Sequence, residues 1–268
     1  MENLFSHVFP ATIWRILPHP SARCNQWAVE LRDANAKVAS LALIDLDAPT
    51  LCWESTPEGT DWWTTLTAFH ESGTLLLHNY RYPDLPEPTD LVAVSAESGG
   101  LRWMLPNYLY VCTLDDQRIE VATRQGEQVR ATSCRVADGT LEGTGSSLEV
   151  PCKPQPTTFW QIPVRYRPRD IYFDTLSAFL HKIAKVKQPL LIDYLECNSY
   201  IAFSYYLYEQ EQIAQYLLIV NQQSEVVHHE QLTKDRSGVG QDTLLRKGDT
   251  LVYLRHTNEF ASIQLTPL

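Results

Sequence analysis

The segment 91–103, Leu-Val-Ala-Val-Ser-Ala-Glu-Ser-Gly-Gly-Leu-Arg-Trp, recurs without a gap 50 residues upstream as 41–53, Leu-Ala-Leu-Ile-Asp-Leu-Asp-Ala-Pro-Thr-Leu-Cys-Trp. Leu41 matches Leu91, Ile44 matches Val94, Leu51 matches Leu101 and Trp53 matches Trp103. Each copy reads as an apolar run the length of a buried strand, a turn, and an alternating strand that closes on an indole. Gly99 and Gly100 allow the positive φ that a tight hairpin turn requires, and Pro49-Thr50 is the turn signal of the other copy. A third overlay lies 126 residues downstream: 217–220 falls on 91–94, Ile201 and Phe203 fall on Leu75 and Leu77, and Tyr206 and Tyr208 fall on Tyr80 and Tyr82. His229 stands there in place of the closing Trp. Repetition at a period of roughly 40–50 residues marks propellers and related repeat architectures, because one such module cannot bury its faces alone.

The expected fold is all-β and β-propeller-like, a single domain of about five four-stranded antiparallel units. The units fall at roughly 12–55, 64–105, 107–150, 190–232 and 241–268, with a helical insertion at 151–189. The last unit is one strand short, and the apolar residues Leu4, Phe5, Val8 and Phe9 can supply the missing strand. Segment 251–263 overlays 109–121, so the fifth unit resembles the third. Residues 151–168 are proline-rich and read as a linker or strap, and 233–241 reads as a polar loop. One α-helix is expected near 170–187: Ile171, Leu176, Phe179, Leu180, Ile183 and Val186 share a face, and Pro189 ends it.

Segment 91–103 resembles the repeat of quinoprotein-type β-propellers, in which a strand, a small or acidic residue, a Ser/Thr-Gly turn and a closing Trp recur in each blade. Segment 41–53 is similar, with Pro49 in place of the turn glycine. The resemblance implies blade architecture. Nothing matches the quinone or calcium ligands of those dehydrogenases, so no cofactor and no metal are expected. As a whole the chain also resembles bacterial families known only as domains of unknown function, which implies no activity.

Charge narrows the partners. The 268 residues carry 22 Lys and Arg against 32 Asp and Glu, a net charge of −10 with no basic run. Nucleic-acid binding and adhesion to anionic membranes both need clustered cations and are not expected. No apolar run reaches the ~20 residues of a membrane helix, and the first residues lack the pattern of a secretion signal, so the expected compartment is the cytoplasm. Cys24, Cys52, Cys112, Cys134, Cys152 and Cys197 form no Cys-x-x-Cys pair, and six reduced thiols are expected.

Asp61-Trp62-Trp63 is the candidate binding cluster, since paired indoles stack a sugar or a peptide side chain; the alternative is packing between units. Tyr80 and Tyr82 join Tyr205, Tyr206 and Tyr208 as a tyrosine stripe on matching strands, and Tyr is a frequent contact residue. The ligand-binding candidates are therefore Trp62, Trp63, Tyr80 and Tyr82. His228-His229-Glu230 points its two imidazoles to opposite faces of a strand, which prevents both from holding one metal. Asp45 and Asp47 fit turn formation better than paired catalytic acids. No nucleophile elbow or phosphate loop is present, so no catalytic residue is singled out. The expected function is a non-catalytic binding or interaction scaffold for a protein or small-molecule ligand, with oligomerisation open. The alternative is a carbohydrate-active hydrolase whose site is assembled from several blades.

Overall fold

A computed structural model describes residues 2–82, 84, 87–126, 128–147, 159–209, 211–236, 238–240 and 243–265. The chain divides into two compact units, Ala11–Phe159 and the combination of Met1–Pro10 with Trp160–Leu268. Strand β1 (Glu2–Val8) opens the chain. Ala11–Phe159 then holds three antiparallel meanders. The first is β2 (Thr12–Pro18), β3 (Gln26–Asp33), β4 (Val38–Asp45) and β5 (Thr50–Ser55). The second is β6 (Thr65–His70), β7 (Thr74–Asn79), β8 (Asp90–Ser95) and β9 (Leu101–Pro106). The third is β10 (Leu109–Thr113), β11 (Arg118–Gln125), β12 (Gln128–Arg135) and β13 (Leu141–Ser147).

The other unit continues with β14 (Trp160–Gln161), β15 (Val164–Tyr166), helix α1 (Phe173–Ala184), β16 (Leu191–Cys197), β17 (Tyr200–Glu209), β18 (Gln212–Asn221) and β19 (Val226–Arg236). It ends with β20 (Leu244–Lys247), β21 (Thr250–Arg255) and β22 (Glu259–Gln264). Its two sheets are ordered β15-β16-β17-β18-β19 and β1-β22-β21-β20-β14. The fold is all-β and propeller-like, built from five blade-like antiparallel sheets and one helix, as the repeats predict. The missing strand of the last sheet is indeed N-terminal: β1 pairs with β22 from Glu2↔Gln264 to Val8↔Glu259.

The apolar runs are continuous because both faces of the middle strands are covered. On β7 and β8, Leu75, Leu77, Val92 and Val94 pack toward β4, with Leu41, Leu43 and Phe69. Their neighbours Leu76, Leu91 and Ala93 turn the other way, onto Ile119, Val121 and Cys134 of the third meander. In the second unit one face of the β15–β19 sheet packs on the last sheet through Leu195, Leu217, Leu251 and Ile263. The opposite face lies under α1, where Phe173 and Leu180 bury against Ile192, Phe203 and Leu218.

The 50-residue repeat is exact in register. Leu43 pairs Trp53 and Ile44 pairs Leu51, so Cys52 is a bulge; Ala93 pairs Trp103 and Val94 pairs Leu101, so Arg102 is the same bulge. Each indole then reaches the next meander. Trp53 Nε1–H donates to Ala96 O (2.7 Å), and Trp103 Nε1–H donates to Val136 O (2.8 Å). Each ring also lies on a turn glycine in the left-handed region, Trp53 on Gly99 and Trp103 on Gly139. A Cβ on Gly139 would stand 2.9 Å from the Trp103 ring, so only glycine fits both the φ of 73° and the contact. The turn after β12 thus repeats the turn after β8 at an offset of 40, a likeness hidden from the sequence because Cys134 and Gly143 replace Val94 and Trp103.

Several expectations are corrected. α1 begins at Phe173, because Arg169 has φ 85° and cannot continue a helix from Pro168; Ile171 consequently lies outside the apolar face, 84% exposed. Residues 233–236 are strand, not loop, because β19 extends to pair Arg236 with Ile213. The fourth sheet gains a fifth strand, β15, from the segment read as a linker. The overlay of 251–263 on 109–121 is out of step by one strand: β10 is the first strand of its meander, whereas β21 follows β20. Cys52, Cys134 and Cys197 are free thiols, as expected, but Cys112 on the edge strand β10 is disulfide-bonded. Cys152, and most of the proline-rich stretch up to 158, lie outside the described residues.

Trp103→Ala removes a buried indole and its hydrogen bond, and should destabilise the Ala11–Phe159 unit by about 3–5 kcal/mol in urea unfolding. Trp53→Ala, at a less buried ring, should cost less. Equal losses for the two would contradict the burial difference.

Candidate binding sites

Trp62 and Trp63 sit in the turn between β5 and β6. The Asp61 carboxylate accepts the N–H groups of Trp63 (2.8 Å) and Thr64 (3.1 Å), so Asp61 is the turn former. Asn79 at the end of β7 ties the turn down, accepting from the Thr64 hydroxyl and donating to Gly59 O (2.8 Å). Trp63 is left 46% exposed. Trp62 instead meets two cations: the Arg32 guanidinium lies 5.4 Å and the Lys37 ammonium 4.9 Å from its ring centre. The same guanidinium lies 5.6 Å from Trp14, the bulge residue of β2, which is 64% exposed.

Arg32 is held by Glu30 (Nε–Oε1 2.8 Å) and by Thr64 O (2.6 Å). Glu30 is fully buried, and its other oxygen accepts from Leu66 N (2.7 Å) and Thr65 Oγ1 (3.0 Å), stitching the first meander to the second. Trp14, Arg32 and Lys37 are members of this cluster that sequence reading missed, because cross-strand pairing brings them to Trp62.

Tyr80 and Tyr82 follow β7 in a loop fixed by the Arg81–Asp90 ion pair and by Arg81 N–H donating to Thr89 Oγ1 (2.9 Å). The tyrosine stripe does not form. β7 ends at Asn79, whereas Tyr206 lies buried in β17 and Tyr208 is exposed on it.

A cleft of about 790 Å³, open to solvent, lies in the Trp160–Leu268 unit. Its wall is a strap. Trp160 and Gln161 pair with Lys247 and Arg246 on the last sheet; after Ile162-Pro163, Val164, Arg165 and Tyr166 pair with Tyr194, Asp193 and Ile192 on the neighbouring one. Alternation sends Arg165 down into a two-pronged bond with buried Asp193 (2.7 and 2.9 Å) and turns Val164 and Tyr166 to the cleft.

Arg246 clamps the strap from the other side. It donates to Gln161 Oε1 (3.1 Å), Glu196 O (3.0 Å), Asn198 Oδ1 (2.8 Å) and Gly248 O (2.8 Å). Tyr194 donates its hydroxyl to Glu196 Oε1 (2.7 Å). Burial pushes that phenol up, and the Glu196 carboxylate adds to the rise, to about 12, so it stays protonated. Sequence reading missed this site because its residues come from a segment without periodicity and from two sheets.

Several other polar groups are paired among themselves. His229 bonds the Tyr205 hydroxyl (2.7 Å) on one face of β19, and His228 bonds Glu230 (2.9 Å) on the other, as alternation requires. Burial alone would raise the Glu230 carboxyl, but hydrogen bonds from His228, Tyr253 and Arg255 hold it down to about 2. His78 accepts the Tyr110 N–H (2.9 Å), and burial, then the charge of Arg15, lowers it to about 4. Asp45 caps its own turn through Asp47 N (2.8 Å). Among the described residues no group of three or more His, Cys, Asp or Glu is placed to hold a metal.

Arg246→Ala should release the strap, seen as faster amide exchange and proteolysis within 160–166 while the helix stays protected; unchanged protection would remove the clamp. Glu230 is lowered in the folded state, so its stabilisation is present above pH ~4.5 and is lost as pH falls toward 2. The stability gap between wild type and Glu230→Gln should therefore close over that window, and a pH-independent gap would exclude this linkage.

A family model described as a domain of unknown function, DUF4905, matches residues 21–103. No curated protein matches the chain by sequence. Similar solved structures include the β-propeller domain of the Trilobed protease from Pyrococcus furiosus, at 12% identity and TM-score 0.35, covering 94% of this chain and 81% of that one. The AtxE2 isopeptidase gives 10% identity and TM-score 0.46, covering 97% of this chain and 51% of its own, so the chain spans about half of that protein. TolB from Acinetobacter baumannii gives 11% identity and TM-score 0.31, covering 92% and 54%.

Proposed function

We propose that the protein is a non-catalytic binding module whose ligand is held in the cleft walled by the 160–166 strap. The Arg246 clamp carries this reading: one guanidinium makes three hydrogen bonds to the walls, at Gln161, Glu196 and Asn198, so the space is preformed rather than induced. The cleft is open and its accessible lining is more polar than apolar, with the rings of Trp160, Tyr166 and Tyr194 beside Gln161, Glu196, Asn198 and Arg246. Glu196 is the one carboxylate among its described lining residues, and hydrolysis of a glycoside ordinarily needs two facing each other. That lining favours holding a ligand over cleaving it. The Trp62–Trp63 turn, with Trp14 beside it, is a second contact surface, suited to a protein partner because Arg32 and Lys37 hold the Trp62 ring, Arg32 also lies against Trp14, and Trp63 is left exposed.

A thermal-shift screen of neutral sugars, amino acids, capped peptides and nucleotides should yield compounds that raise the melting temperature of wild type but not of Tyr194→Ala. Those compounds should be recovered intact after incubation. Consumption of the bound compound, or an equal response from the variant, would reject the reading.

A further inference from the structure

We infer that the ligand of this cleft is a short neutral oligosaccharide, an inference that rests on the cleft being a binding site. Three features converge on that class. First, charge cancels: among the described lining residues the only ionised side chains are Glu196 and Arg246, one of each sign, so the space favours neither anions nor cations. This balance is notable on a chain of net charge −10.

Second, the cleft offers aromatic faces and planar polar groups together. Tyr166 and Tyr194 lie 6.4 Å apart at 75°, so one ring shows an edge where the other shows a face, and Trp160 stands on the adjoining strand. Ring faces carry negative quadrupole density and attract the C–H groups of a pyranose. The hydroxyls of such a ring need both donors and acceptors. Among the described residues, Gln161 keeps its amide N–H₂, Glu196 keeps Oε2 and Arg246 keeps one Nη2–H after their internal bonds are counted.

Third, the strap resists the competing occupant, an extended peptide. Adding a peptide strand requires a continuous edge of N–H and C=O groups. Here β14 has two residues and β15 three, separated by Ile162-Pro163, and Pro163 has no N–H to give.

The test is calorimetric titration of the full chain with maltotriose, cellotriose, mannotriose and chitotriose, beside trigalacturonate and a capped neutral tripeptide. At least one neutral trisaccharide should bind. Tyr194→Ala should weaken it at least tenfold, and Glu196→Gln, which keeps shape but removes the charge, should weaken it several-fold. Val129→Ala, at an exposed position of β12 in the other unit, should leave it unchanged. Saturation-transfer spectra should show the sugar C–H protons receiving magnetisation from aromatic rings. Binding of the tripeptide or of trigalacturonate with no neutral sugar would overturn the saccharide assignment while leaving the cleft as a binding site. Sugar binding that neither cleft variant diminishes would overturn the assignment to this cleft. No binding of any probe, together with an empty thermal-shift screen, would overturn both readings.

Discussion

The middle strands of the second meander and of the β15–β19 sheet are apolar on both faces, and that constraint shapes what packs around them. A four-stranded meander with two oily faces cannot stand in water, because each uncovered Leu or Val side chain forfeits about 1.5–3 kcal/mol of burial. The second meander solves this by packing between the first and the third. The fourth sheet has a neighbouring sheet on one face and receives α1 on the other. The helix is thus a cover for a sheet face, held there by its apolar stripe of Phe173, Leu176, Phe179, Leu180 and Ile183.

Hydrophobic contact alone does not set how neighbouring meanders align. Directional bonds do. The indoles of Trp53 and Trp103 each donate to a carbonyl at the start of the next meander's last turn, and Glu30 reaches from β3 to the first residues of β6. These bonds sit at opposite ends of the strands and pin both. The two turn glycines belong to this device: their missing Cβ atoms leave the room the indoles occupy.

The cleft follows from what the same rules leave unsatisfied. The inner edges of two adjacent sheets in the Trp160–Leu268 unit, β16 and β20, would be bare without the strap, and exposed edges invite unwanted pairing. A seven-residue segment covers both by pairing briefly with each. It pairs first with one sheet and then with the other, and the cleft lies beside it, lined partly by Tyr166 and Tyr194 from the helix-covered face of the β15–β19 sheet. Arg165 and Arg246 hold it from two sides.

Local pattern determined a good deal here. The hairpins at 41–53 and 91–103, the N-terminal strand that completes the last sheet, the helix and the divergent imidazoles of His228 and His229 all follow from alternation, turn chemistry and repetition, whereas the bulge at Cys52 and Arg102 interrupts the alternation and is seen only in the structure. These depend on neighbours in sequence, where period and φ preference act directly. What only the tertiary structure decided is which chain segments meet. Trp62 was visible as an aromatic, but not Arg32 and Trp14 beside it. Trp160, Tyr194 and Arg246 carried no signal in common, being brought together by pairings that span tens of residues. Backbone hydrogen bonding is indifferent to side-chain identity, so a two-residue strand such as β14 leaves no pattern to read, and its partner is chosen by the geometry of sheets already formed.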